Sequence, residues 1–139
     1  MKAVDFFLGV MPTDRRPDEI LTTIELPAQT SNDAWAFHEL SRRHGDFALV
    51  GVAATARRRS EGLEELRLVV FGCEERPRIS KIAASTSLSQ KDALELATAV
   101  AEDLDPMSDL EGDAKTKRIQ ARTLIQRALD DLFVEGANG

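Results

Sequence analysis

Between Trp35 and Val50 the chain reads WAFHELSRRHGDFALV, and this stretch holds most of the groups able to do chemistry. Arg42 and Arg43 offer planar donor forks suited to a phosphate or a carboxylate. Asp46 pairs with one of them or caps the turn, so the same residues also read as a loop tied down by its own salt bridge. His38 and His44 stand six apart with no carboxylate or thiol at ligand spacing, and a closed zinc set needs four such ligands, so no metal site is expected. Cys73 follows Gly72 at the end of an apolar run and reads as packing at a half-buried strand end. A single cysteine excludes an internal disulfide framework and fits a reducing compartment. There is no G-x-G-x-x-G, no G-x-x-x-x-G-K-[ST], no C-x-x-C, no H-E-x-x-H and no G-x-S-x-G. The chain therefore encodes no complete active site, and no catalytic residue is assigned.

The elements that must position these groups follow from periodicity. Met1 to Asp18 has no sustained period, contains Pro12 and Pro17, and reads as an irregular arm; Phe6 and Phe7 in it call for a packing partner outside it. Ile20, Thr22, Ile24 and Leu26 alternate up to Pro27, which predicts a strand. Ala34 to Leu40 predicts a second strand, rich in aromatics. Phe47 to Thr55 is almost wholly apolar and predicts a central strand buried on both faces, with Gly51 permitting close approach. Leu63 to Gly72 pairs with it as a hairpin, and Pro77 to Ile82 supplies a short further strand. Arg57, Arg58 and Arg59 read as a solvated turn before Gly62. After Ser87 the period switches. Ser89 is the N-cap of a helix whose apolar face is Leu94, Leu96, Ala97, Val100, Ala101 and Leu104. Ala114 to Phe133 predicts a long helix with Ile119, Leu124, Ile125, Ala128, Leu129 and Leu132 inward, followed by a frayed tail from Glu135 to Gly139. Strands first and helices after predict an α+β sandwich: an antiparallel sheet of three to four strands with helices packed on one face.

Composition sets the outer limits. At 139 residues, 42% hydrophobic and 30% charged, the chain has the make-up of one soluble globular domain. A net charge of −6 argues against a broad nucleic-acid footprint. No apolar run approaches the roughly 20 residues that cross a bilayer, so no membrane span is expected. The opening MKAVDFFLGVMP carries Asp5 and no long apolar core, which is not a secretory signal, so a cytoplasmic location is expected.

The pattern Phe37-x-x-x-x-Arg42-Arg43-x-x-Asp46-Phe47-Ala48 resembles a signature of the flavoproteins of the xanthine and carbon monoxide dehydrogenase family. Asp5-Phe6-Phe7-x-Gly9, Asp18-Glu19-Ile20-Leu21 and Leu26-Pro27 are similar to the last stretch of that family's FAD-binding domain. Asp105-Pro106-x-Ser108-Asp109, Gly112-x-Ala114 and Arg127-Ala128-Leu129 are similar to the end of its C-terminal domain. Thr116 stands where relatives commonly carry a tyrosine.

The resemblance implies the C-terminal part of the FAD-binding medium subunit of a molybdenum hydroxylase, an oxidoreductase in which FAD passes electrons from iron–sulfur clusters to an acceptor. On this reading residues 1–30 are an arm and strand from the end of the FAD-binding domain. Residues 31–135 form a CO dehydrogenase flavoprotein C-terminal-like domain, and 136–139 are a tail. Four residues are implied to bind the cofactor. Leu21 matches a position that packs on the flavin, and His38 replaces a lysine near the ring edge. Asp46 and Phe47 belong to a loop beside the ring. The pyrophosphate-binding segments of the family lie upstream of this match. The chain alone is therefore expected to bind FAD weakly or not at all, and to be inactive by itself. Expected partners are an N-terminal FAD-binding half, an iron–sulfur subunit and a molybdopterin subunit. The second reading is a non-catalytic dimerisation or interaction module of the same fold, with Phe6, Phe7 and Trp35 at a homodimer interface.

Overall fold

Val50, Val52, Ala54 and Ala56 are buried while Ala53 and Thr55 between them are less so, the period of a strand with one covered face, and only Gly51 breaks it. They lie on β2 (Val50–Arg59), which pairs antiparallel with β1 (Asp33–Leu40) on one side and β3 (Gly62–Phe71) on the other. A short β4 (Arg78–Lys81) joins β3, so the sheet is a four-stranded meander in the order β1-β2-β3-β4. The computed structural model describes residues 1–60, 62–81 and 88–134. The predicted end of the fourth strand at Ile82, the change of period at Ser87 and the tail from Glu135 lie outside them.

In β3 the inward residues are Leu63, Leu66, Leu68 and Val70, a spacing of three and then two. A β-bulge accounts for it. The register passes from Thr55↔Arg67 to Arg57↔Glu64, so β3 carries one extra residue, and Glu65 takes φ 53° there. Without the bulge Leu63 would point to the open face.

The covered face is roofed by helices. After a 3₁₀ turn (Gln90–Asp92), α2 (Ala93–Glu102) packs on α3 (Ala114–Phe133), and α3 lies across β1 and β2. Ala34, Ala36, Ala54 and Ala56 keep that part of the sheet low, and Ala121, Ile125, Ala128, Leu129 and Leu132 of α3 fill the space above it. Ser89, expected as the N-cap of the first helix, stands before the 3₁₀ turn instead, and α3 begins at the N-cap Asp113. Asp92 accepts from the amide and hydroxyl of Ser89, and Asp113 accepts from the amide of Thr116.

Several expectations change. Glu19 to Leu26 forms no strand, and Ile20, Leu21, Ile24 and Leu26 are exposed. Alternation supplies a face but not a partner, and no strand edge lies alongside this segment. Met1 to Asp18 folds locally instead. One helical turn, α1 (Ala3–Phe6), is closed by a Phe7↔Thr13 bridge, and Phe6 meets Phe7 edge-on at 5.1 Å. The central strand begins at Val50 rather than Phe47 and is covered on one face only. Its other face carries Gly51, whose missing Cβ makes room for the Phe71 ring that stacks on Phe37 at 6.0 Å. Leu94 and Ile119 point outward, because each helix buries only the stripe that meets the sheet or the other helix.

The basic run is not a free turn. Arg57 pairs with Glu65 and Arg59 with Glu64, while Arg58 donates to the carbonyls of Leu132 and Val134 at the end of α3. Cys73 is fully buried, and burial, with Glu74 adding to it, pushes its thiol above the ordinary value. No helix among the described residues is long and apolar enough to cross a membrane.

Candidate functional site

The loop between β1 and β2 carries Arg42, Arg43, Asp46 and Phe47. Its ends are closed by the Leu49 amide donating to the Leu40 carbonyl at 2.7 Å. Inside it, the Asp46 amide donates to the Arg43 carbonyl, the Ser41 hydroxyl donates to the same carbonyl, and Gly45 turns the chain at φ 89°. Phe47 is left 98% exposed, an apolar ring with no internal contact to explain it.

Beneath the loop lies the segment that follows β3. Gly72 has φ 84°, and a Cβ there would stand 2.7 Å from the Ala48 carbonyl oxygen, so the two backbones touch only because position 72 has no side chain. The third wall is the turn before α3. Asp109 accepts from the amides of Glu111 and Gly112 at 2.9 and 3.2 Å, an Asx turn, and its other oxygen takes the ammonium of Lys117. Lys117 is 2% exposed, on the inward stripe of α3. Glu111 reaches across to Arg42, and the Leu110 carbonyl accepts from the same guanidinium at 3.4 Å.

These walls enclose an open cleft of about 430 Å³. An aromatic ring, two guanidiniums and three carboxylates line it. The hydrogen bond from Lys117, and then the amide of Glu111, hold the Asp109 carboxyl below the ordinary carboxylate range. No nucleophile sits against a base there. Among the described residues no group of three or more His, Cys, Asp or Glu side chains stands together to hold a metal ion. What the cleft offers is recognition: a stacking surface beside polar groups that orient a ring with donors and acceptors at its edge.

Of the four residues implied to bind a cofactor, the structure brings Asp46 and Phe47 into the cleft, together with Arg42 and Arg43. Leu21 is on the exposed arm and does not line it. His38 does not line it either; it points to the helix side, where its Nε2 meets the Asp131 carboxylate at 2.8 Å. Of the alternatives for Asp46, pairing with Arg42 or Arg43 or capping the turn, no ion pair to either arginine forms among the described residues, and Arg42 pairs with Glu111. Lys117, Asp109 and Glu111 were not anticipated as part of a site. One signal marks Lys117: it falls on the same stripe as Ala121, Leu124 and Ala128, a charged residue at an apolar position.

Comparison with known proteins places the fold. The family model for the CO dehydrogenase flavoprotein C-terminal domain matches residues 35–132. The glyceraldehyde dehydrogenase medium chain of Sulfolobus acidocaldarius is 26% identical over 136 residues, covering 95% of this chain and 48% of its own length. The carbon monoxide dehydrogenase medium chain of Hydrogenophaga pseudoflava is 29% identical over 129 residues, covering 90% of this chain and 45% of its own. The solved carbon monoxide dehydrogenase of that organism, in a form lacking the Mo-pyranopterin moiety of its molybdenum cofactor, superposes with a TM-score of 0.82 at 25% identity. It covers 94% of this chain and 47% of the matched one. The chain thus spans about half the length of the curated relatives it matches.

Proposed function

The chain belongs to the family of CO dehydrogenase flavoprotein C-terminal domains, and on that footing we propose that it is the C-terminal portion of the flavoprotein subunit of a molybdenum hydroxylase, covering one side of an FAD. The observation that carries the reading is the Arg42–Phe47 loop: it falls within the matched span and presents an exposed aromatic ring at the mouth of the cleft. Division of the chain follows the same reading, with residues 1–30 as an arm, 31–135 as the domain and 136–139 as a tail. The start of the sheet at Asp33 supports it.

The residues fit part of the cofactor. Pockets for drug-sized molecules run from roughly 300 to 1,000 Å³, and a cleft of about 430 Å³ suits a ring system better than a whole dinucleotide. No glycine-rich phosphate cradle occurs in the sequence, so the phosphates are assigned to residues outside this span. When bound, the flavin supplies the redox chemistry that relays electrons from iron–sulfur clusters to an acceptor. This chain's residues bind, orient and screen it. Phe47 offers its ring as a stacking face, and Asp46 accepts a hydrogen bond from a ring N–H. Leu21 adds an apolar contact from the arm. His38 is assigned to the ring edge by the family resemblance alone, since its ring is bonded to Asp131 on the helix side. The partners are the FAD-binding portion of the flavoprotein, an iron–sulfur subunit and a molybdopterin subunit.

Titration of FAD against the purified chain, followed by flavin fluorescence, is expected to give a dissociation constant weaker than about 1 μM. Mixing with the FAD-binding portion is expected to give a yellow complex. Sub-micromolar binding by the chain alone would overturn the division of labour, and a colourless, unassociated mixture would overturn the assignment.

A further inference from the structure

The loop that carries Phe47 is held by a chain of contacts that starts in the core. Lys117 is the one charged residue buried among the described residues, on a stripe where an apolar side chain of the same length would pack without desolvating an ammonium. Burying a cation costs several kcal/mol unless it is paired, and replacing a buried ion pair by apolar residues is often neutral or stabilising. Bulk stability therefore does not explain its presence, and the partner it selects does. Asp109 receives Lys117 on one oxygen and the amides of Glu111 and Gly112 on the other, which locks the turn in one shape. That turn aims the Glu111 carboxylate and the Leu110 carbonyl at Arg42, the second residue of the 41–48 loop. An exposed Arg–Glu pair by itself is worth little, but here one end is fixed by a buried anchor.

We propose that Lys117 is a positioning residue for the cleft: through Asp109 and Glu111 it fixes Arg42, and so holds the 41–48 loop in the one conformation that presents Asp46 and Phe47. Only the identity of what the loop touches rests on the flavin reading. Asp109 is half-exposed, so Lys117→Met leaves its carboxylate in water rather than stranded, and the variant is expected to fold.

The test is amide hydrogen exchange on the full chain. Lys117→Met is expected to speed exchange in residues 41–49 and 109–112 roughly tenfold, the size of a coupling within one side-chain network, with the β2 amides of Val52 and Ala54 unchanged. Glu111→Gln, which breaks the relay at the surface, is expected to speed residues 41–49 about threefold and leave 109–112 protected. Lys117→Arg restores protection to within about twofold, and the double variant Lys117→Met/Glu111→Gln is no faster in 41–49 than Lys117→Met. Unchanged exchange in 41–49, uniform acceleration of the whole fold, failure of Lys117→Arg to restore protection, or multiplying effects in the double variant would each overturn the proposal. Flavin retention by the assembled flavoprotein separates the two readings. A loosened loop with retention unaltered sinks the flavin assignment and leaves the positioning role standing. An unaltered loop does the reverse.

Discussion

A methyl group at position 72 would meet the Ala48 carbonyl at 2.7 Å on a backbone already at φ 84°. Gly45 has a similar φ of 89° but nothing within 4 Å of where its Cβ would be. The two positions separate backbone strain from close approach. Gly45→Ala is expected to cost about 1 kcal/mol, and Gly72→Ala about 3 kcal/mol, because strain and overpacking add. Urea unfolding of the two variants side by side checks this, and equal losses would show that the contact with Ala48 contributes nothing. Residue-scale features differ in how far sequence exposes them. Asp46 and Phe47 lie in one short stretch with Arg42 and Arg43, so their grouping is legible before any fold is known. The Arg42–Glu111 pair joins residues 69 positions apart in the chain, and only the approach of the turn before α3 to the β1–β2 loop creates it. Lys117 shows as an anomaly in a stripe, while its purpose depends on where Asp109 comes to lie.

At the scale of elements, α3 is the part most fully readable. Its limits and most of its inward face follow from a 3.6-residue period. β1, β3 and the short β4 are legible for the same kind of reason. The segment from Glu19 to Leu26 shows where such reading stops, since a strand exists only against another strand. The start of β2 at Val50 shows a second limit. Phe47 is as apolar as its neighbours, yet it belongs to the loop because Leu49 already closes the hairpin on Leu40. Arg58 shows a third, because a basic residue at a strand end reads as surface until the end of a helix arrives beside it. There it satisfies two carbonyls at 3.2 and 2.8 Å and sets a cation at the negative end of α3. Arg58→Ala is therefore expected to cost about 1 kcal/mol and to fray the last turn of α3. A lower urea midpoint with an unchanged slope and a small loss of helical circular dichroism would bear this out; an unchanged midpoint would not.

For the whole molecule, the acidic balance of −6 includes carboxylates set at the starts of elements. Asp33 opens β1, Asp92 and Asp113 begin helical turns, and Asp109 shapes the turn beside the cleft. The Thr30, Ser89 and Thr116 amides, and the Lys117 ammonium, respectively hold these carboxyls below their ordinary value of 3.8. Because each is lowered in the folded state, its stabilisation is complete above the unfolded value and is lost as pH falls through the folded ones. Stability is thus expected to be flat from about pH 7 to 5 and to fall below about pH 4, as urea midpoints measured across that range would show; a profile flat to pH 3 would refute it. The order of elements along the chain also bears on how the molecule is made. The four described strands precede α3, and at roughly 5–20 residues per second the helix that covers β1 and β2 is complete only some seconds after β4. For that interval the nascent meander carries Val50, Val52, Leu68 and Val70 on a bare face. A bare apolar face of this kind is where chaperone capture and aggregation compete, and α3 is what covers it.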